Sequence, residues 1–210
     1  MITFTEDELQ ALRVQVGQIL SRNRYIHVLS VEEEVAKMGD MYLPDCVTAL
    51  RAAALLHDIT KEMTVAEQIA LCRDTETPLT EEQLRYEPTL HEKSAPARIR
   101  KEFPAFAVPE VLEAVRVHTT GGSHMSVFDK LVFLADYTEA GRVHADCVHT
   151  RERFHRALAK KGASLSLLNA TVLEVLQATL RRLISKGYPV EPQTLNAYNA
   201  VCYEIRREGE

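Results

Sequence analysis

The sequence predicts an all-α fold, and three observations carry that expectation. Apolar residues recur at helical spacing through most of the chain. N-capping side chains stand ahead of those runs. No alternating period-two run is present, and the Val- and Ile-rich segments lie between helix signals, so a sheet is not expected.

Taken in order, Thr5 with Glu8 forms a capping box for a first helix that turns Leu9, Leu12, Val16 and Ile19 inward. A second helix carries His27, Val31, Val35 and Met38 on one stripe, with Glu32, Glu33 and Glu34 on a solvated face and Gly39 as its stop. Pro44 and Asp45 open a third, whose stripe Val47, Leu50, Ala54 and His57 ends on a histidine. Two further capping boxes, Thr64 with Glu67 and Thr80 with Gln83, flank an exposed loop over 73–78, so short helices are expected there. Pro96 is best tolerated in a first helical turn, which puts His91 at or near a helix start.

Pro109 and Glu110 begin a helix with Val111, Val115 and His118 on one face, broken by Gly121 and Gly122. Ser126 and Asp129 cap the next, which carries Val132, Phe133 and the acid Asp136 on its core side. A polar connection with His144, His149 and His155 follows. A long helix from about Ser164 to Lys186 then turns Leu165, Leu168, Val172, Leu176, Thr179 and Leu183 inward and stops at Gly187. Thr194 to Arg207 completes the chain. Helices are expected over 150–207 in the C-terminal part.

With 210 residues, and neither a Pro/Gly/Ser-rich linker nor an internal repeat, one domain over 1–210 is expected. Its 46% hydrophobic and 26% charged residues suit a soluble globular protein. The longest apolar runs are too short to cross a bilayer. The N-terminus lacks the pattern of a secretory signal, so a cytoplasmic location is expected. The cysteines Cys46, Cys72, Cys147 and Cys202 show no close pairing, which argues against a zinc knuckle or a disulfide framework. A formal net charge of -5 argues against DNA as a partner, while leaving small anions open.

The chemistry is carried by His57 and Asp58, adjacent at the end of an apolar run. Burying such a pair is costly unless a cation neutralises it, and a divalent metal is the usual solution. The other ionisable groups on or beside apolar faces are His27, His91, His118 and Asp136. Four imidazoles and two carboxylates exceed what one metal needs, whereas two metals sharing Asp58 would use them all. The six come from five separate segments, His57 and Asp58 sharing one, so only tertiary packing can bring them together. Taken singly, each histidine reads as an ordinary hydrogen-bonded core residue, and Asp136 as a cap or ion-pair partner.

The ordered set, with HDITK at 57–61, HTTG at 118–121 and LADYTEAGR at 134–142, resembles the HD-domain phosphohydrolase superfamily. Within it the chain is similar to the bacterial YqeK family of symmetrical dinucleoside tetraphosphatases, which cleave diadenosine tetraphosphate into two ADP. The likeness spans about residues 20–200 and includes TLNAYN at 194–199. It implies an HD-fold helical bundle with a metal-ligand core over about 20–142. It implies that His27, His57, Asp58 and Asp136 hold one ion, and that Asp58, His91 and His118 hold the second. Iron is the implied metal, with manganese, cobalt, nickel and zinc compatible with such ligands.

The mechanism implied is attack on phosphorus by water activated at the two metals, with Asp58 and Lys61 as the catalytic side chains. Lys61 and Arg142 are expected to neutralise phosphate oxygens, ahead of Arg24. Thr119, Thr120 and Gly121 are expected to offer donors to substrate, and His124 to lie near the mouth. His144, His149 and His155 are expected on the surface or in loops. The partner expected is a nucleotide, with ADP or GDP as product, and a homodimer is left open. Two other readings stay in play: an HD hydrolase of another nucleotide or phosphodiester, and a nucleotide- or RNA-binding regulatory module with an inactive site.

Overall fold

The computed structural model describes residues 3–73 and 79–208. Among them are ten α-helices and no strand, so the expected all-α class is what is found. The helices are α1 (Glu6–Ile19), α2 (Arg22–Tyr42), α3 (Val47–Leu56), α4 (Val65–Arg73) and α5 (Leu90–Glu102), followed by α6 (Pro109–Val117), α7 (Val127–Thr138), α8 (Ala145–Lys161), α9 (Leu165–Ser185) and α10 (Pro192–Glu208). No helix is long and apolar enough to cross a membrane.

Helix α3 is the axis of the bundle. Ala49, Leu50 and Ala52 through Leu56 are all buried, and α1, α2, α6 and α7 pack around it. Four of those residues are alanines, which cost no side-chain entropy and let neighbouring backbones come close. Gly39 serves the same end. It lies inside α2 rather than stopping it, and a Cβ there would stand 2.8 Å from Leu50 Cδ1. The helix ends three residues later, where the Leu43 N–H donates to the Gly39 carbonyl.

The capping signals hold. Thr5 with Glu8 and Ser126 with Asp129 form reciprocal capping boxes. Thr64 with Glu67 and Thr80 with Gln83 make the same exchanges ahead of α4 and of a single 3-10 turn. Of the expected loop over 73–78, residue 73 closes α4 and the rest lies outside the described residues.

Several packing expectations are corrected. Glu32 and Glu34 are buried, and Glu33 alone faces solvent. Glu32 receives Arg13 at 2.5 Å and Arg51 at 3.0 Å, while Glu34 accepts from Thr138 at 3.0 Å and meets His155 Nε2 at 2.6 Å. A buried carboxylate is tolerable only when partnered, and here distant helices supply the partners. Ile19 is exposed and Leu20 takes the core position. Leu165 is likewise exposed, while Val175 and Leu180 join Leu168, Val172 and Leu176 inside. The stretch read as a polar connection is largely α8, with Cys147, Thr150, Phe154 and Leu158 buried against α7 and α9. The C-terminal helices therefore begin at 145, not 150. Three residues of the buried stripe are apolar and one is Thr, too sparse for periodicity to betray the helix.

Pro96 sits in the interior of α5 and not in its first turn. Its ring removes the donor that would meet the Glu92 carbonyl. The helix begins early because a 3-10 turn, Glu87–Thr89, leads directly into it. His91 consequently falls on the first turn, as expected.

Candidate metal centre

His57 and His118 are positioned by the same local device. Each follows the last residue of a short helix, α3 or α6, and each turns Nδ1 back to a carbonyl three residues earlier. His57 Nδ1 lies 2.6 Å from the Ala54 oxygen and His118 Nδ1 lies 2.7 Å from the Val115 oxygen. A carbonyl only accepts, so Nδ1 carries the hydrogen and Nε2 keeps a lone pair. His27, on α2, is held alike by the Glu139 carboxylate, 3.2 Å from its Nδ1. Backing by a carbonyl or carboxylate in this way is how proteins orient imidazoles that bind metals.

The four Nε2 atoms converge on Asp58. Its Oδ2 stands 3.6 Å from His27 Nε2 and 3.4 Å from His57 Nε2. Its Oδ1 stands 3.4 Å from His91 Nε2 and 3.7 Å from His118 Nε2. The two pairs are each closed, His27 to His57 at 3.3 Å and His91 to His118 at 3.1 Å. Asp136 Oδ1, from α7, joins the first pair at 3.1 Å from His27 and 3.9 Å from His57. One carboxylate thus offers one oxygen to each of two ligand groups.

The donor set fits two metal ions. Ligands about 2.1 Å from a common ion stand about 3.0 Å apart in octahedral and about 3.4 Å apart in tetrahedral geometry. The separations above, 3.1 to 3.9 Å, run from just over the octahedral value to somewhat beyond the tetrahedral one. His27, His57 and Asp58 form one group able to hold an ion, and Asp58, His91 and His118 a second. Electrostatics agree. Burial opposes the Asp58 charge, but His57, His118 and His91 hold its carboxyl well below the usual range. Burial likewise opposes charge on His27, yet Asp136 and Glu139 raise it to about 9. His118 is raised against its burial by Asp58. His91 goes the other way, held well below the usual histidine value by burial and by His118 and Lys61; the cluster thus combines carboxylate charge with imidazole lone pairs, the donors that a cation needs.

A cleft of about 560 Å³ opens onto the cluster, lined at this end by Arg24, Lys61, Thr119 and Arg142. Arg24 donates to Asp58 Oδ2 at 2.6 Å. Arg142 pairs with Asp136 and donates Nε–H to the Asp136 carbonyl at 2.9 Å. Lys61 Nζ lies 3.2 Å from His91 Nδ1 and donates to the Pro88 carbonyl at 3.3 Å, and burial lowers its pKa. Thr119 Oγ1 reaches His91 Nε2 at 3.1 Å.

The remaining sequence candidates go elsewhere. Thr119 and Thr120 spend their backbone N–H groups on Glu92 Oε2, at 2.9 and 3.0 Å, and Thr120 Oγ1 donates to Glu92 Oε1 at 2.6 Å. Thr120 and Gly121 are buried outside the cleft lining. Gly121, at φ +72°, meets α10, where Gln193 donates to its carbonyl at 2.6 Å. His124 is exposed and does not line the cleft, whereas His144 does. Sequence reasoning missed Glu92 and Glu139, the acids that back the cluster. Each stands within three residues of a ligand candidate, and only the fold shows where its carboxylate points.

The HD domain family model matches residues 24–141. A symmetrical bis(5'-nucleosyl)-tetraphosphatase from Halalkalibacterium halodurans is 30% identical over 187 residues, covering 88% of this chain and 92% of that protein. Proteins of the same name from Staphylococcus aureus and Bacillus subtilis are 29% and 26% identical, covering 90% and 88% of this chain and 91% and 92% of their own lengths. Among solved structures, a protein from Clostridium acetobutylicum titled as a predicted HD superfamily hydrolase involved in NAD metabolism superposes with a TM-score of 0.79. It covers 97% of this chain and 100% of its own at 24% identity, a likeness of fold.

Proposed function

The chain belongs to the HD domain family, and on that premise we propose that it is a metal-dependent hydrolase that cleaves dinucleoside tetraphosphates symmetrically, releasing two nucleoside diphosphates. The observation that carries the reading is Asp58, whose two oxygens face two separate groups of imidazoles. Its substrate class is that of the relatives named above.

His27, His57, Asp58 and Asp136 would hold one ion, and Asp58, His91 and His118 the other, with iron as the proposed metal. Bound there, divalent ions supply Lewis acidity toward phosphoryl oxygens and lower the pKa of water toward neutrality. The chain's own residues bind and orient the substrate. Lys61 and Arg24 present cations at the mouth of the cluster, where charge develops on the phosphoryl oxygens. Arg142 serves mainly to hold Asp136, to which it donates through both Nε and Nη2. Glu139 and the carbonyls of Ala54 and Val115 keep Nδ1 protonated, leaving each Nε2 free toward the cluster.

Metal analysis of the purified protein and product identification on diadenosine tetraphosphate test the proposal together. About two metal equivalents and ADP as sole product are expected. Formation of ATP with AMP, or no turnover with metal present, would refute it. Asp58→Asn is expected to lower the occupancy of both ions, because no other residue belongs to both groups.

A further inference from the structure

Two of the side chains that serve the first ligand group lie on the short loop after α7, over 139–142. Glu139 backs His27, and Arg142 holds Asp136. A segment this short has no core of its own, so hydrogen bonds must give it its shape.

A helix leaves its last carbonyls without partners inside the helix. Here the Ala135 carbonyl accepts from Glu139 N–H at 2.9 Å, and the Asp136 carbonyl from Arg142 Nε–H at 2.9 Å. The carbonyls of Thr138, Glu139 and Arg142 converge on a single atom, Arg151 Nη1, at 3.3, 2.7 and 3.2 Å. Arg151 belongs to the second turn of α8. Its guanidinium is planar and offers its donors in a fixed fork, so the carbonyls that meet on it are held in one arrangement.

Within that closed loop, Arg142 N–H donates to the Glu139 carbonyl at 3.0 Å. The buried Glu139 carboxylate folds back over Gly141, whose N–H donates to Oε2 at 2.5 Å. A Cβ at 141 would stand 2.9 Å from that oxygen, so a side chain there would push the carboxylate off its place behind His27. An arginine near a helix C-terminus also favours the helix dipole, but that role ends with the helix. Arg151 reaches the Arg142 carbonyl beyond the end of α7 and joins it to the Thr138 carbonyl, which the dipole does not require.

We propose that Arg151 is the positioning residue of the first ligand group. By closing the loop it fixes the Glu139 carboxylate behind His27 and the Arg142 guanidinium on Asp136. It acts through those two side chains and not on substrate. This rests on the reading of the cluster as a metal centre. The pair His91 and His118 stands on other elements and is braced by Glu92, so it has no part in this loop.

The test is titration of the full chain with cobalt(II), followed by absorbance and by competition with a chelator, for the wild type, Arg151→Met and Arg151→Lys. Methionine keeps an apolar stem and removes every donor. Affinity for one of the two ions is expected to fall about 10–100-fold in Arg151→Met, with the other ion within about twofold of wild type. Arg151→Lys is expected to lie between the two, because an ammonium donates but lacks the planar fork. Placed on His118→Ala, which keeps only the first group intact, Arg151→Met is expected to weaken the remaining ion by the same factor. Placed on His27→Ala, it is expected to leave the remaining ion unchanged. Arg153→Met is the control, since Arg153 pairs with Glu174 at 2.5 Å on the neighbouring helix and its loss is expected to lower the unfolding midpoint without moving either affinity. Wild-type affinity for both ions in Arg151→Met would overturn the proposal even if the midpoint fell, and so would an equal loss at both. If Arg151→Met does not fold, Arg151→Lys decides: a loss confined to one ion supports the proposal, and a loss at both or at neither overturns it. A wild type that binds no cobalt would overturn the metal-centre reading together with this inference, whereas two ions bound alike by wild type and variants would overturn this inference alone.

Discussion

Glu92→Gln tests how the second ligand group is held. Glu92 is fully buried on α5, next to His91, and grips the loop that follows His118. Oε2 accepts from Thr119 and Thr120 N–H, and Oε1 accepts from Thr120 Oγ1 and from Lys93 Nζ, each at 2.6 Å. Glutamine keeps the shape and one acceptor oxygen, so the two N–H bonds survive as neutral ones, about 0.5 kcal/mol weaker each. Its amide cannot accept from Lys93, which costs about 2 kcal/mol for a charge-assisted bond in a buried place. The total is about 3 kcal/mol, lowering the thermal midpoint of a 210-residue chain by about 6–12 °C. Because the loop carries His118 and the helix carries His91, affinity for the ion at that pair is expected to fall about 10–100-fold. Thermal unfolding and metal titration, followed by competition with a chelator, measure both. A midpoint within about 2 °C of wild type, together with unchanged metal affinity, would refute the argument that Glu92 positions the pair.

Gly121→Ala is expected to cost about 2–4 kcal/mol, because φ is +72° and a Cβ would stand 2.7 Å from Ala197 Cβ, a rigid atom on α10; a urea midpoint unchanged from wild type would contradict this. Pro96→Ala restores a donor to the Glu92 carbonyl, worth about 3 kcal/mol in a helix interior, and loses part of the buried ring's contribution, about 1–2 kcal/mol; a net rise of about 4 °C in Tm is expected, and a fall would mean that the ring's packing outweighs the missing bond. On the acid side, Glu8 and Glu67 are held below their ordinary 4.5 by the N–H and hydroxyl of Thr5 and Thr64, and Glu62 by Ser21. Folded values below unfolded ones mean that the stability these groups contribute is present above about 4.5 and is lost as pH falls through the folded values. Urea unfolding of Glu8→Gln is expected to show a shallower loss between pH 5 and pH 3 than wild type, and an identical slope would remove Glu8 from that account.

Helix identity was legible wherever a cap preceded a dense apolar stripe, as at Thr5, Ser126 and Pro109. It was not legible at α8, where the buried stripe is sparse, nor at Gly39, which reads as a stop, and Pro96, which reads as a first-turn residue, although both lie inside helices. The exception at Gly39 has a tertiary cause, since its missing Cβ admits Leu50, whereas Pro96 is buried on the packed face of α5 at the cost of the helical donor to the Glu92 carbonyl. The same divide runs through the site. Six candidate ligands could be named because buried His and Asp on apolar faces are costly without a cation, an inference that needs only composition and period. Glu92 and Glu139 could not be named, nor could Arg24 be ranked properly, because a charged residue on a helix surface is ordinary until a distant element covers it.

The sequence by itself determined the helical class, the order of the ligand candidates and the family likeness, all of which depend on residue type and local spacing. Only the tertiary structure decided which oxygen of Asp58 faces which pair, that Glu32 and Glu34 are buried, and that Glu139 stands behind His27. Those facts depend on contacts between residues far apart in the chain, and burial of a polar group is favourable only when such a contact supplies its partner.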